Sequence, residues 1–181
     1  MSSFKRLNTL LLPIPYPATF YNDILSDPVV QTITLLAIWR DTPVSCAVSS
    51  VPRADEVARV TSTDVGRVVG GIRCRLLGAD SLGTGGAGPL LYISTLTVLS
   101  PYRHYGIATH LLSAVTATAI EKYGIRATGA HVWTENPEGR EWYRKKGFRE
   151  ERVEEGYYRR LKPSAAVVVR KVVGVADLLG R

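Results

Sequence analysis

Cysteine is scarce. Cys46 and Cys74 are the only two in 181 residues, so there is no disulfide framework, and no C-x-x-C or Cys/His cluster offers metal-ligand spacing. That usage fits a reducing compartment. Long apolar runs are missing too: none approaches the roughly 18 residues of a transmembrane helix, and Pro13 and Pro15 break the Leu10-Leu11-Leu12 run before a signal-type region can form. The expectation is a cytoplasmic protein, also nuclear, with no membrane partner. Repeats and long low-complexity tracts are lacking as well. Hydrophobic residues at 45% and charged residues at 22% exclude a disordered, collagen-like or coiled-coil chain. The length suits one domain with a sizeable core.

Acidic charge is the minority sign. The net charge is +7, divided as −1 over residues 1–66 and +8 over residues 67–181. That polarity suits a phosphorylated ligand or an anionic surface such as a ribosome, acting through the field; simple solubility explains it equally well. Nothing resembles a motif for reading nucleic-acid sequence.

Two segments read as loops: Arg40 to Gly66, polar and turn-rich, and Gly78 to Pro89, with Gly83, Gly85, Gly86 and Gly88. Around them, Thr32 to Trp39 and Val68 to Leu77 read as strands, and the uncharged run Leu90 to Leu99 as a strand buried on both faces. From Ile107 to Tyr123, Ile107, Leu111, Leu112, Val115, Ala119 and Ile120 recur at helical spacing, and Gly124 supplies the stop. Thr128 to Trp133 reads as a strand, Asn136-Pro137 as N-cap and N1 of a helix ending at Gly147, and Arg149 to Tyr158 as a further strand. Ser164 to Arg181 reads as a strand followed by a partner-binding end, or as a bare terminal strand. One short helix is expected before the first strand. The class is α/β, a mixed sheet flanked by helices in a single domain.

Ser100-Pro101-Tyr102-Arg103-His104-Tyr105-Gly106-Ile107-Ala108 leads from the buried strand straight into the long helix. A helix start exposes unpaired N–H groups and the positive dipole end, and Gly106 and Ala108 carry too little side chain to keep a pyrophosphate away. Alone, R-x-x-G-x-A is a weak pattern that also describes a plain turn. About 35 residues later, however, Trp142-Tyr143-Arg144-Lys145-Lys146-Gly147-Phe148 follows on the capped helix.

Together these segments resemble the Gcn5-related N-acetyltransferase (GNAT) family. With Phe4-Lys5-Arg6-Leu7-Asn8, Leu12-Pro13-Ile14-Pro15-Tyr16, Phe20-Tyr21, Leu91-Tyr92-Ile93-Ser94-Thr95-Leu96, His131-Val132 and Tyr157-Tyr158, the chain is similar to catalytic subunits of NatE-type amino-terminal acetyltransferases, from about Phe4 to Arg170. Three features depart from that pattern. An additional strand and part of a helix, usual before the Phe4 position, are missing or shortened, which could expose a sheet edge; Ala108 replaces a commoner glycine; and Ser94 stands where a larger apolar residue is usual. The two loops look like insertions.

The resemblance implies the GNAT fold, acetyl-CoA as cosubstrate, no metal, and transfer to the amino-terminal amine of peptides that begin with Met and an apolar residue. It implies Tyr92 and His131 as the joint base, acting through water, and Tyr143 as the group that protonates the departing thiolate. Those roles agree with the chemistry, since an amine of pKa near 8 needs no strong base and histidine titrates in the useful range. Arg103, His104, Tyr105, Gly106, Ile107 and Ala108 would hold the pyrophosphate through the loop, with the imidazoles of His104 and His110 at the surface or in packing. Asn136 and Tyr143 would line the cofactor side, and the amides of Leu96 and Val98, beyond a strand bulge, would take the pantetheine arm. Leu12, Pro13, Ile14 and Tyr16 would face Tyr157, Tyr158 and Leu161 across the acceptor groove, with Ser94 in one wall and Arg75 ordering the substrate side. Adjacent tyrosines in a strand point to opposite faces, so Tyr157-Tyr158 is better read as a loop. An apolar, uncharged groove disfavours a lysine acceptor. With no cysteine at a candidate position, transfer is direct, within a ternary complex. The implied partners are peptide amino termini, an auxiliary subunit and the ribosome. A GNAT enzyme acting on lysine or small amines, and a non-catalytic docking subunit on the ribosome, are the alternatives; retention of Tyr92, Arg103, Gly106, Ala108 and His131 argues against the latter.

Overall fold

The computed structural model describes residues 2–41, 66–78 and 88–178. The cores of both expected loop insertions, at 42–65 and 79–87, lie outside the described residues. The elements are α1 (Ser2–Leu11), α2 (Ala18–Ser26), α3 (Pro28–Thr32), β1 (Thr34–Trp39), β2 (Arg67–Leu77), β3 (Leu90–Val98), α4 (Ile107–Tyr123), β4 (Ala127–Trp133), α5 (Pro137–Lys145), β5 (Arg149–Glu154), β6 (Ala166–Val172) and α6 (Val175–Leu178). A 3-10 turn over Ser100–Tyr102 links β3 to α4.

Two expectations are corrected. Three helices, not one, precede the first strand: Pro13 and Pro15 separate α1 from α2, and Asp27 caps α3 by accepting from the Val29 and Val30 amides at 2.8 and 3.3 Å. The strand expected to reach Tyr158 ends at Glu154, so Tyr157 and Tyr158 lie in irregular backbone. The expected long helix has the observed bounds, and Gly124 ends it in the left-handed conformation, φ 59°, where a side chain would be strained.

The strands form one sheet in the order β1-β2-β3-β4-β6-β5. Among the described strands only β3 and β4 run parallel, and α4 is their crossover. Alternation along β2 sends Ile72 and Cys74 into the core shared with α4 and α5, while Arg73 turns to the opposite face, over Phe20 of α2. On that opposite face Phe4, Leu7, Phe20, Tyr21 and Ile24 form a second core.

The β2–β3 register slips so that Arg73 pairs with Thr95 and Cys74 with Ile93, leaving Ser94 as the extra residue of a bulge. The bulge inverts the parity of β3. Leu91 and Ile93 before it, and Leu96 after it, all join the α4 core, whereas the Thr97 hydroxyl meets Asn8 of α1 at 3.2 Å.

Candidate active site

The site begins where the parallel pairing stops. β3 and β4 are in register only at Leu90–Ala127, Leu91–Thr128 and Tyr92–Gly129. Beyond these rungs β3 stays with β2 and β4 with β6, and a cavity of about 580 Å³ opens between them, walled by Ser94 and Leu96 on one side and His131 and Trp133 on the other. The Leu99 amide donates to Val69 of β2 at 2.8 Å. Alternation back along the strand therefore turns the Leu96 and Val98 amides away from β2, toward the open side.

At the foot of the opening four side chains form a chain of hydrogen bonds. The Tyr92 hydroxyl is 2.7 Å from that of Tyr157 and 3.1 Å from His131 Nδ1, and His131 Nε2 is 3.0 Å from Glu154 Oε2. An ionised carboxylate only accepts, so Nε2–H donates to Glu154, Nδ1 accepts from Tyr92, and Tyr157 donates to Tyr92. All the donors point one way. Burial lowers the pKa of His131 more than Glu154 raises it, which favours the neutral imidazole whose Nδ1 lone pair accepts from Tyr92; the His131 hydrogen bond in turn lowers the Glu154 carboxyl pKa. Burial pushes the Tyr92 hydroxyl well above its usual pKa, so it stays protonated. Tyr157 also stacks on the imidazole, centroids 3.9 Å apart, and Tyr158 donates to the His131 carbonyl at 3.1 Å.

Tyr143, on α5, is buried against Phe148 and reaches the cavity wall; desolvation raises its hydroxyl pKa, leaving it a proton carrier. Asn136 starts α5 by accepting from the Gly139 amide at 2.9 Å and lies on the same wall. Leu12, Pro13, Ile14, Tyr16, Tyr158 and Leu161 close the other end. The Tyr16 hydroxyl donates to the Ser94 carbonyl at 2.9 Å, pinning the bulge.

The Arg103–Ala108 loop is not part of this cavity wall but lies at the exposed start of α4. Gly106 is the N-cap at φ 78°, and among the described residues a Cβ there would meet His110 alone, at an ordinary 3.6 Å. Among the described residues no side chain caps the first amides of α4, an arrangement that fits an oxyanion such as a pyrophosphate. Arg103 donates Nε to the Val98 carbonyl at 3.3 Å, and Tyr105 packs on Trp39. His104 adopts φ 67° in the same turn.

Arg75 also lies outside the cavity wall; it is exposed, its guanidinium 5.4 Å from the Tyr92 ring centroid. The sequence reading missed Glu154, Trp133, Glu135 and the buried Arg73. Glu154 is invisible because its meeting with His131 depends on β6 lying between β4 and β5. Among the described residues no group of three or more His, Cys, Asp or Glu could hold a metal ion, and no helix is long and apolar enough to cross a membrane.

The chain is 28% identical over 173 residues to the probable N-acetyltransferase san of Drosophila melanogaster, covering 96% of this chain and 76% of the fly protein. It is 26% identical over 171 residues to N-alpha-acetyltransferase 50 of Danio rerio, covering 94% and 82%. Among solved structures, Arabidopsis thaliana Naa50 in complex with the bisubstrate analogue CoA-Ac-MVNAL superposes with a TM-score of 0.67 at 28% identity, covering 95% of this chain and 91% of that one. Arabidopsis thaliana NAA60 in complex with acetyl-CoA shares the fold, with a TM-score of 0.69 at 20% identity and 95% and 93% coverage. The model of the acetyltransferase (GNAT) family matches residues 20–148, more than half of the chain, and the splayed β3–β4 pair with an open helix start beside it is the architecture just described: the protein belongs to the GNAT acetyltransferase family.

Proposed function

We propose that this protein transfers an acetyl group from acetyl-CoA to the amino-terminal amine of protein chains, preferring Met followed by an apolar residue, as the catalytic subunit of a NatE-type enzyme. The observation that carries the reading is the one-way chain Tyr157–Tyr92–His131–Glu154 at the foot of the β3–β4 opening. Its support from relatives is the Naa50 structure, which holds a CoA-linked acetylated Met-Val-Asn-Ala-Leu analogue.

Acetyl-CoA supplies the activated acyl thioester. The Arg103–Ala108 loop and the first amides of α4 bind the pyrophosphate, and the Leu96 and Val98 amides orient the pantetheine arm and the thioester carbonyl. The apolar wall of Leu12, Pro13 and Ile14 receives the first side chain, with Tyr16, Arg75, Tyr157 and Tyr158 ordering the peptide. The amine proton passes through Tyr92 to His131 Nδ1, directly or by one water, and Glu154 at Nε2 steadies the imidazolium that forms. Tyr143 holds the proton for the departing thiolate. The basic later two-thirds of the chain suits docking to the ribosome or an auxiliary subunit, and the activity belongs in the cytoplasm.

The test is CoA release by the purified protein with acetyl-CoA and peptides varied at their first two residues. Release on Met-Leu-type peptides, suppressed in Tyr92→Phe and His131→Ala, is expected. Binding of acetyl-CoA without release on any peptide would replace this reading with a docking role.

A further inference from the structure

Behind the acceptor wall lies a charge that the proposed reaction does not use. Arg73, on β2, has a side chain only 2% exposed, and among the described residues its acidic partner is Asp23 at 3.3 Å, itself 54% exposed. Its Nη1 reaches the Ser94 hydroxyl at 3.4 Å, and its Nε has no hydrogen-bond partner among the described residues. Both polar contacts are long for a buried cation. The guanidinium lies 4.0 Å from the Phe20 centroid, and Phe20 stacks at 4.0 Å on Tyr16. Ser94 and Tyr16 both line the cavity.

A buried cation offset by a single half-exposed carboxylate recovers only part of its desolvation cost. A second acceptor brought to the Ser94 hydroxyl would recover more, with the hydroxyl turning its proton to the newcomer while accepting from Arg73. The field already extends into the cavity: Arg73 and Arg75 both lower the Tyr16 hydroxyl pKa against the larger effect of its burial. Ser94 is small, and as the extra residue of the bulge it is held open by Tyr16.

We propose that Arg73, acting through Ser94, is a specificity-determining residue that lets the acceptor pocket take a first side chain of methionine length ending in a carboxylate, namely glutamate, alongside methionine. The inference rests on the amino-terminal acetyltransferase reading and deepens it, since an apolar wall alone would reject a carboxylate.

The test compares initial rates of CoA release on peptides that differ only in a first residue of Met, Gln or Glu. Glu-first peptide is expected to turn over faster than Gln-first and within roughly tenfold of Met-first in kcat/KM. In Arg73→Met, which keeps the volume and leaves Asp23 in contact with solvent, the Glu/Met ratio of kcat/KM is expected to fall at least about tenfold. In Asp23→Asn the ratio rises, and this surface change keeps the proposal testable should Arg73→Met fail to fold. A merely structural Arg73 would lower both peptides together and leave the ratio where it was. Glu-first turnover at or below Gln-first, with Met-first intact, overturns this inference alone; no turnover on any peptide, Met-first included, overturns the acetyltransferase reading with it.

Discussion

The hydroxyl of Tyr92 lies 3.1 Å from Nδ1 of His131, although the two residues are 39 positions apart and sit on neighbouring strands. Tyr92 occupies the last parallel rung, opposite Gly129, and His131 is the next residue on the same face of β4. The contact therefore lies where the strands part, with the cavity directly beyond.

Removing either end of that contact should slow transfer without unfolding the protein. Tyr92→Phe keeps the ring and removes the relay, and His131→Ala removes the base; each is expected to lower kcat by about 100-fold. The double variant should be scarcely worse than His131→Ala, because the two act as one unit. Losses that multiply would show that they work separately. Steady-state CoA release on one good peptide decides between these outcomes.

Glu154 is expected to tune the pH dependence of transfer through His131. Burial lowers the His131 pKa and the carboxylate raises it. In Glu154→Gln the imidazole should lose its proton still more readily, so the acid limb of kcat moves to lower pH while the plateau falls, the base being weaker. Stability follows the same sign. A histidine whose folded pKa lies below its unfolded value, near 6.5, stabilises the fold above that value, and the contribution is lost as pH falls toward the folded pKa. A kcat profile and thermal melts from pH 5 to 8 check both statements.

Sequence periodicity reaches α4 and its glycine stop, because one helix with one buried stripe needs no partner to be read. It does not reach the faces of β3. The bulge at Ser94 switches parity mid-strand, so Leu91 and Leu96 share a core although strict alternation would oppose them. Of the site, Tyr92, His131 and Tyr143 were legible only through resemblance to a family, since no spacing rule joins them. Glu154 and Arg73 were not legible. A charged residue in a strand reads as solvated until the pairing order and the α2 crossing show what lies beside it.

The start of α4 should govern cofactor affinity rather than chemistry. Gly106 holds φ 78°, a conformation that costs a side chain about 1 kcal/mol. Space is not the obstacle, since a Cβ would meet His110 at an ordinary 3.6 Å. Gly106→Ala is thus expected to turn the first amides of α4 and raise KM for acetyl-CoA several-fold, with KM for peptide little changed. Titration calorimetry with CoA reads the same loss without turnover.

Tyr16→Phe gives the opposite partition. It removes only the hydrogen bond to the Ser94 carbonyl, leaving the ring stacked on Phe20 at 4.0 Å. With such a bond worth about 1 kcal/mol net, KM for peptide should rise about fivefold while KM for acetyl-CoA holds. Equal changes in both constants would mean that the bulge supports the whole opening and not the peptide side alone.

Asn136 ties the stability of α5 to the placement of Tyr143. Its Oδ1 accepts from the Gly139 amide at 2.9 Å, and Pro137 follows at the first helical position. Glycine at 139 is part of the same fit, because a Cβ there would come within 2.5 Å of the Asn136 amide nitrogen. Asn136→Ala is expected to cost about 1 kcal/mol and lower Tm by about 2–4 °C. Asn136→Asp should cost less, since a carboxylate can cap the helix and suits the positive end of its dipole. Because Tyr143 lies two turns along this helix and lines the cavity, the alanine variant should also lose kcat beyond what the melting shift explains; full kcat at a lowered Tm would confine the cap to folding.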